Sequence, residues 1–315
     1  RAMIKYLVKR IFRSIFTSII IISVVFSLLR FMPIEGYFQN FDKLTDAQIQ
    51  AGLSNMGLDQ PLPVQLVRFF GDLLQGDLGV SRSYRTNVPV MDIIVEKIPV
   101  SLQFGLMSIA LSMLVGFPLG ILMARSKGKF WDKFGTVFIV FIQAVPAAVY
   151  YLFIQVYGTE LFHISMLYNE RRPITWVLPV ISMSLGNIAY YAMWLRRYMV
   201  DESNKDYVRL ARAKGLSQGK IMSKHIFRNA FVPMVQYIPN SILNTIIGSI
   251  YVESLYSIPG MGGLLVNVIQ RQDNTMVQAL VIIFASVGIL GLVLGDLLMC
   301  IVDPRISFTK KGGAR

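Results

Sequence analysis

Apolar residues gather in six runs separated by polar stretches, at 15–31, 100–124, 134–157, 174–195, 234–252 and 276–301. Each is long enough to cross a bilayer as a helix, which takes about 20 residues. The first run is entered through Lys5, Lys9, Arg10 and Arg13, and no small-x-small cleavage site follows it, so a retained helix is expected rather than a signal peptide. Gly116 and Gly120 in the second run have the spacing that lets another helix come close. Pro146 interrupts the third. Arg1, Ala2 and 312–315 are expected to be foreign to the native chain and carry no argument.

The polar stretches are not equivalent. In 32–98, Pro61 and Pro63 break any continuous helix, whereas Val64, Leu66, Val67, Phe69, Phe70, Leu73 and Leu74 allow an amphipathic helix after them, so a small packed cap is predicted. The longest basic stretch, 205–233, predicts a helix, a corner and a second helix. Tyr207, Leu210, Ala211 and Lys214 are spaced as one face, and Gly215 suits a left-handed cap. Ser217 is placed to accept from the amides of the next turn, and Ile221, Met222, Ile226 and Phe227 give the second helix its apolar side.

Composition agrees with a membrane protein: 54% of the residues are hydrophobic and the mean hydropathy is +0.54, too apolar for a water-exposed surface. The net charge of +13 reports topology rather than nucleic-acid binding, because the basic residues lie between apolar runs. Segments 1–13, 125–133, 196–228 and 303–315 hold 22 of the 31 Lys and Arg residues and five acids. The alternate loops hold eight basic and eleven acidic residues, with Glu253 assigned to the fifth run. The positive-inside rule then makes both termini cytoplasmic. The expected organisation is a cytoplasmic N-terminus at 1–13, a first helix at 14–31, an extracytoplasmic cap at 32–98, a five-helix core at 99–302 containing a cytoplasmic segment at 196–230, and a tail at 303–315.

Catalytic signatures are missing. The stretch Gly215-Leu216-Ser217-Gln218-Gly219-Lys220-Ile221 has three residues between its glycines where a Walker loop has four, and Ile where that loop has Ser or Thr. His163 and His225 fall on opposite predicted sides, there is no HExxH or GxSxG, and the single Cys300 excludes an internal disulfide. No metal site and no enzyme activity are expected.

The basic stretch carries a resemblance. Tyr207-Val208-Arg209-Leu210-Ala211-Arg212-Ala213-Lys214-Gly215, then His225 and Arg228-Asn229-Ala230-Phe231-Val232-Pro233, is similar to the cytoplasmic EAA loop of bacterial ABC importer permeases. The general motif is Glu-Ala-Ala, three residues, Gly, nine residues, Ile-x-Leu-Pro. Only Ala211 and Gly215 match it, with Arg209, Leu210 and His225 standing for the Glu, the first Ala and the Ile. That departure resembles the di- and oligopeptide branch with its nickel-carrying relatives. Leu58 to Gln65, Gly76 to Ser81 and Glu253 to Gly262 resemble the same branch. A generic basic hairpin lying on anionic lipid is the competing reading of the charge pattern.

The resemblance implies an all-α fold of six transmembrane helices, the type I ABC importer permease fold, with a small cap between helices 1 and 2. It implies a second homologous permease subunit, two ATPase subunits that bind ATP and Mg²⁺, an extracytoplasmic substrate-binding protein and a peptide substrate, in the bacterial cytoplasmic membrane. No cofactor would be bound by this chain. Tyr207, Arg209, Ala211, Arg212, Ala213, Lys214, Gly215 and His225 would couple to the ATPase. Glu253, Tyr256, Pro259 and Gly260 would stand at the outer mouth of the pathway, Glu253 as a gate or as a plain interfacial carboxylate. Asp296, inside the last run, reads as an interhelical hydrogen bond or a substrate contact. Asn240, Asn244, Gln143 and Asn187 are uncharged amides suited to a hydrated peptide path, or to helix packing. A nickel or small-solute importer, and an ion channel or ion-coupled carrier, stay open beside the peptide reading.

Overall fold

The computed structural model describes residues 2–302, and it is built from helices; among the described residues the only strand-like pairing is an isolated antiparallel bridge between Val80 and Pro89. The expected tail at 303–315 lies outside the described residues. α1 (Ala2–Leu29) is the long apolar entry helix. Phe12, Phe16 and Leu28 on it are exposed, which on so apolar a helix means lipid rather than water around it. Ile22 and Phe26 are buried against Phe69 of α3 (Leu62–Leu74) and Ile282 of α14 (Asn274–Val302).

Between α1 and α4 (Val90–Arg125) the chain forms α2 (Asp46–Met56), α3 and a loop. Thr45 and Gln48 close a capping box on α2, and Gly57, at φ 69°, ends it. Pro63 occupies the first turn of α3, where no N–H is needed. Leu66, Phe69, Phe70 and Leu73 form the packed face that the pattern predicts, while Val64, Val67 and Leu74 are turned outward.

The core is the pair α4 and α7 (Val177–Ser203). A Cβ on Gly116 would come within 3.1 Å of the Ile188 carbonyl, and one on Gly120 within 2.9 Å of the Ala192 carbonyl, so the expected close approach is made by α7. Ser112 donates to the Ser184 carbonyl and Ser184 to the Ser108 carbonyl, both at 3.2 Å. Such bonds between membrane helices are worth about 0.6 kcal/mol each on average.

The third apolar run is a bent pair. α5 (Phe130–Ala144) and α6 (Ala147–Phe162) meet at 106°, because Val145 is extended and Pro146 has no N–H to continue the ladder. After α7 come α8 (Asp206–Ala213), the single turn α9 (Gln218–Lys220), a π-helical stretch Ile221–Phe227 and α10 (Arg228–Val235). The fifth run is not one uninterrupted helix. α10 passes into α11 (Tyr237–Ile247) through Gln236, whose φ −60° and ψ −31° are still helical. Pro233 and Pro239 withhold the N–H that Asn229 and Val235 would otherwise receive, which breaks the regular bonding there. Gly248 ends α11 at φ 73°, and α12 (Ile250–Leu255) and α13 (Met261–Gln270) lead to α14. Among the described residues, four helices are long and apolar enough to cross a membrane, or five with the bent pair counted as one.

Candidate coupling segment and polar cavity

α8 starts at Asp206, whose charge suits the helix N-terminus, and ends where Gly215 takes φ 74° as its spacing predicts. The buried face differs from the expected one. Val208 and Ala211 pack under Leu195, Met199, Ile221 and Ile226, whereas Tyr207, Leu210 and Lys214 are exposed. The neighbouring helix, not the periodicity of eight residues, decides which side is covered. Ser217 also departs from expectation: its side chain caps nothing, and its carbonyl receives the Ile221 amide at 3.0 Å. The apolar side of the second helix is as predicted, with Ile221 and Ile226 buried; the π winding brings these residues, five apart, to one side.

Tyr207 ties the hairpin together. Its hydroxyl contacts the Glu202 carboxylate, accepts from Asn229 Nδ2 at 2.9 Å and lies 3.3 Å from the His225 carbonyl. Burial, then the Glu202 carboxylate, pushes the phenol above its ordinary range, so it is neutral at physiological pH. Arg209, Arg212, Ala213, Lys214 and Gly215 are exposed and His225 is half-buried. Leu210 and Leu216 thus stand as exposed apolar contacts within a basic rim.

A second feature lies deeper. α4, α6, α7 and α11 border an open cavity of about 200 Å³ whose polar lining includes Ser108, Tyr151, Asn187, Ser241, Asn244 and Thr245. Among the described residues, no carboxylate, ammonium, guanidinium or imidazole lines it. Of the amides singled out in the sequence, Asn187 and Asn244 reach this cavity. Asn240 turns to α14, where Gly291 leaves it room, and Gln143 is exposed on α5 with Nε2 3.4 Å from Met193 Sδ.

Glu253 stands behind the cavity wall and is fully buried. One carboxylate oxygen accepts from Ser101 Oγ at 2.7 Å, the other from the Gly262 and Gly263 amides at 2.8 and 3.0 Å, and Ser101 Oγ accepts from the Met261 amide at 2.7 Å. The first amides of α13, which have no partner within the helix, are satisfied in this way. Gly260 is part of the same cradle, since a Cβ there would fall 2.5 Å from Ser101 Oγ. Tyr256 is buried with its hydroxyl 3.1 Å from Ser182 Oγ, and Pro259 is exposed. Asp296 makes the interhelical bond: Gln236 Nε2 donates to it at 2.8 Å.

Sequence reasoning missed two anchors. Arg196 on α7 grips Asp132 on α5 with Nε at 2.5 Å and Nη2 at 2.9 Å, and Asp132 also receives the Gly128 amide at 2.8 Å. Asp273, between α13 and α14, gathers the loop at 81–84. Its partners are far away along the chain, so no local motif announces either contact.

The comparisons agree with this architecture. Residues 116–308 match the binding-protein-dependent transport system inner membrane component family, and residues 3–105 match the N-terminal component of such systems. The chain belongs to this family of inner membrane components. This transport component is 33% identical over 308 residues to the dipeptide transport system permease protein DppB of Lactococcus lactis, across 96% of the present chain and 99% of DppB. It is 29% identical to the oligopeptide transport system permease protein OppB of Haemophilus influenzae, across 97% and 100% of the two chains. With the oligopeptide transport system permease protein AmiC of Streptococcus pneumoniae it shares 38% identity over 66% of its length, and the match spans 42% of AmiC. A crystal structure of an amino acid ABC transporter superposes with a TM-score of 0.52 at 16% identity, covering 69% of this transport component and 95% of that chain. The fold is that of the type I ABC importer permeases.

Proposed function

We propose that this chain is one membrane subunit of an ATP-driven, binding-protein-dependent importer of di- and oligopeptides in the bacterial cytoplasmic membrane, with both termini cytoplasmic. The observation that carries the reading is the cavity lined by uncharged amides and hydroxyls, in a chain whose full-length relative is named a dipeptide permease. Peptide backbones need hydrogen-bond partners of both kinds without selection for one side chain, and Asn, Ser and Thr offer both. A second homologous permease would complete the pathway, and an extracytoplasmic substrate-binding protein would deliver peptide to it.

Two ATPase subunits would hold ATP and Mg²⁺ and receive the segment 206–228. Leu210 and Leu216, exposed here, would suit an apolar groove there, and the surrounding arginines would suit acidic side chains beside it. Closure of the ATPase pair would move α8, and Tyr207 would pass that movement to α7 and the π-helical stretch, opening the pathway by rocking of packed helices. Glu253 would act at the outer mouth by holding α13 against α4.

The test is ATP-dependent uptake in proteoliposomes containing the copurified complex and its binding protein, comparing a labelled oligopeptide with nickel. Peptide uptake that requires ATP is the expected result. Nickel uptake without peptide uptake would overturn the substrate, and uptake of either without ATP would overturn the energy source.

A further inference from the structure

A larger cavity, of about 300 Å³, lies away from the pathway, between α1, α3 and the start of α14. Arg30, Arg68 and Arg82 line it, with Gln65, Asp72 and Asp77. No ion pair among the described residues involves any of these three arginines. Arg30 gives Nη1 to the Tyr37 hydroxyl at 2.8 Å and lies over the Phe26 ring, yet its Nε is buried without an acceptor. The Nε of Arg82 is buried in the same condition, and Gln65 Oε1 is buried without a donor. Three guanidiniums that no carboxylate of the described residues pairs with thus line one cavity, an arrangement that favours an anionic occupant from outside the chain.

The surroundings indicate its source. Arg30 follows the last turn of α1, at the end opposite the basic N-terminus, which puts the cavity at the outer membrane boundary; this placement rests on the orientation proposed above. Val24 and Leu28 on α1, and Val64 and Val67 on α3, are exposed apolar side chains nearby. A guanidinium presents paired donors that match phosphate oxygens. We propose that the cavity binds the headgroup of an outer-leaflet phospholipid, with Arg30 and Arg82 donating to the phosphate and Arg68 at the rim. The carboxylates of Asp72 and Asp77 fit the ammonium of an ethanolamine headgroup, and the apolar side chains of α1 and α3 lie along the acyl chains.

Native mass spectrometry of the purified complex titrated with phosphatidylethanolamine tests this without any transport step, so its failure is separate from failure of the peptide reading. Retention of lipid by the wild type and at least tenfold weaker retention by Arg30→Gln/Arg82→Gln are expected. Arg68→Gln, at an exposed position, should weaken retention severalfold and keeps the experiment decisive should the double variant not assemble. Equal retention by wild type and Arg68→Gln, or diacylglycerol retained as well as the phospholipid, would overturn the proposal. Full displacement of lipid by millimolar inorganic phosphate would reassign the site to the free ion. Unchanged lipid retention with lost binding-protein docking would reassign the arginines to that partner.

Discussion

Asp273 and Ser81 are 192 positions apart, yet one carboxylate oxygen of Asp273 accepts the Ser81 hydroxyl at 2.7 Å. The same oxygen receives the amides of Arg82, Ser83 and Tyr84 at 2.9, 2.9 and 3.0 Å. A single side chain therefore organises the loop that precedes α4. Asp273→Ala strands those donors and should destabilise the protein by about 2–4 kcal/mol. Asp273→Asn, which keeps an acceptor, should cost about half as much. The melting temperatures of the two variants, with protease cleavage within 81–88, check this; equal melting of wild type and Asp273→Ala would contradict it.

The Arg196 and Asp132 pair should behave as a unit. Asp132 is 5% exposed, so Arg196→Gln leaves a buried carboxylate without its cation, at about 2–3 kcal/mol. Asp132→Asn combined with Arg196→Gln should be milder than Arg196→Gln alone. A double-mutant cycle on melting curves reads the difference directly, and strictly additive effects would show that the two side chains do not act together.

Gly215 has φ 74° and no atom within 4 Å of where a Cβ would stand. Gly215→Val therefore acts through the backbone alone, at about 1–2 kcal/mol of strain. Uptake should fall at least tenfold while the ATPase subunits still copurify. Gly215→Asn, which tolerates the left-handed region, should transport nearly normally. Normal uptake by the valine variant would count against a coupling role for the corner.

Tyr207→Phe removes the hydroxyl shared by α7, α8 and α10 and should cost about 1 kcal/mol. Because the phenol is held above its ordinary value of about 10, the stabilisation from its protonated form is complete at lower pH and is lost only as pH rises through the raised value. The difference in melting temperature between wild type and Tyr207→Phe should accordingly be the same at about pH 6 and pH 9. A difference that grows or vanishes across that range would show that another group titrates in the network.

What was legible in the sequence was local. The entry helix, the glycine corner at Gly215 and the Gly116 and Gly120 approach follow from periodicity and spacing within one segment. The covered side of α8 is not legible locally, because Met199 and Ile221, from other elements, choose it. Pro146 announced an interruption, but nothing local gives the 106° bend. Pro233 and Pro239 could have announced the irregular bonding around Gln236. Glu253 was singled out for its position, yet its partner Ser101 is 152 residues away; the run Gly260-Met261-Gly262-Gly263, with its exposed amides at a helix start, was the available hint. Asp132 and Asp273 offered none, since an isolated acid in a loop resembles any other solvated charge.

The seam between α4 and α7 gives the molecule a built-in ruler. With backbones touching at Gly116 and Gly120 and serines bonded across the join, these two helices cannot slide without parting, so probes placed on their outer sides keep a constant separation. Any distance that changes between α4 and α11 during turnover then reports movement of α11 relative to the joined α4 and α7 pair, and a single pair of labels reads that movement.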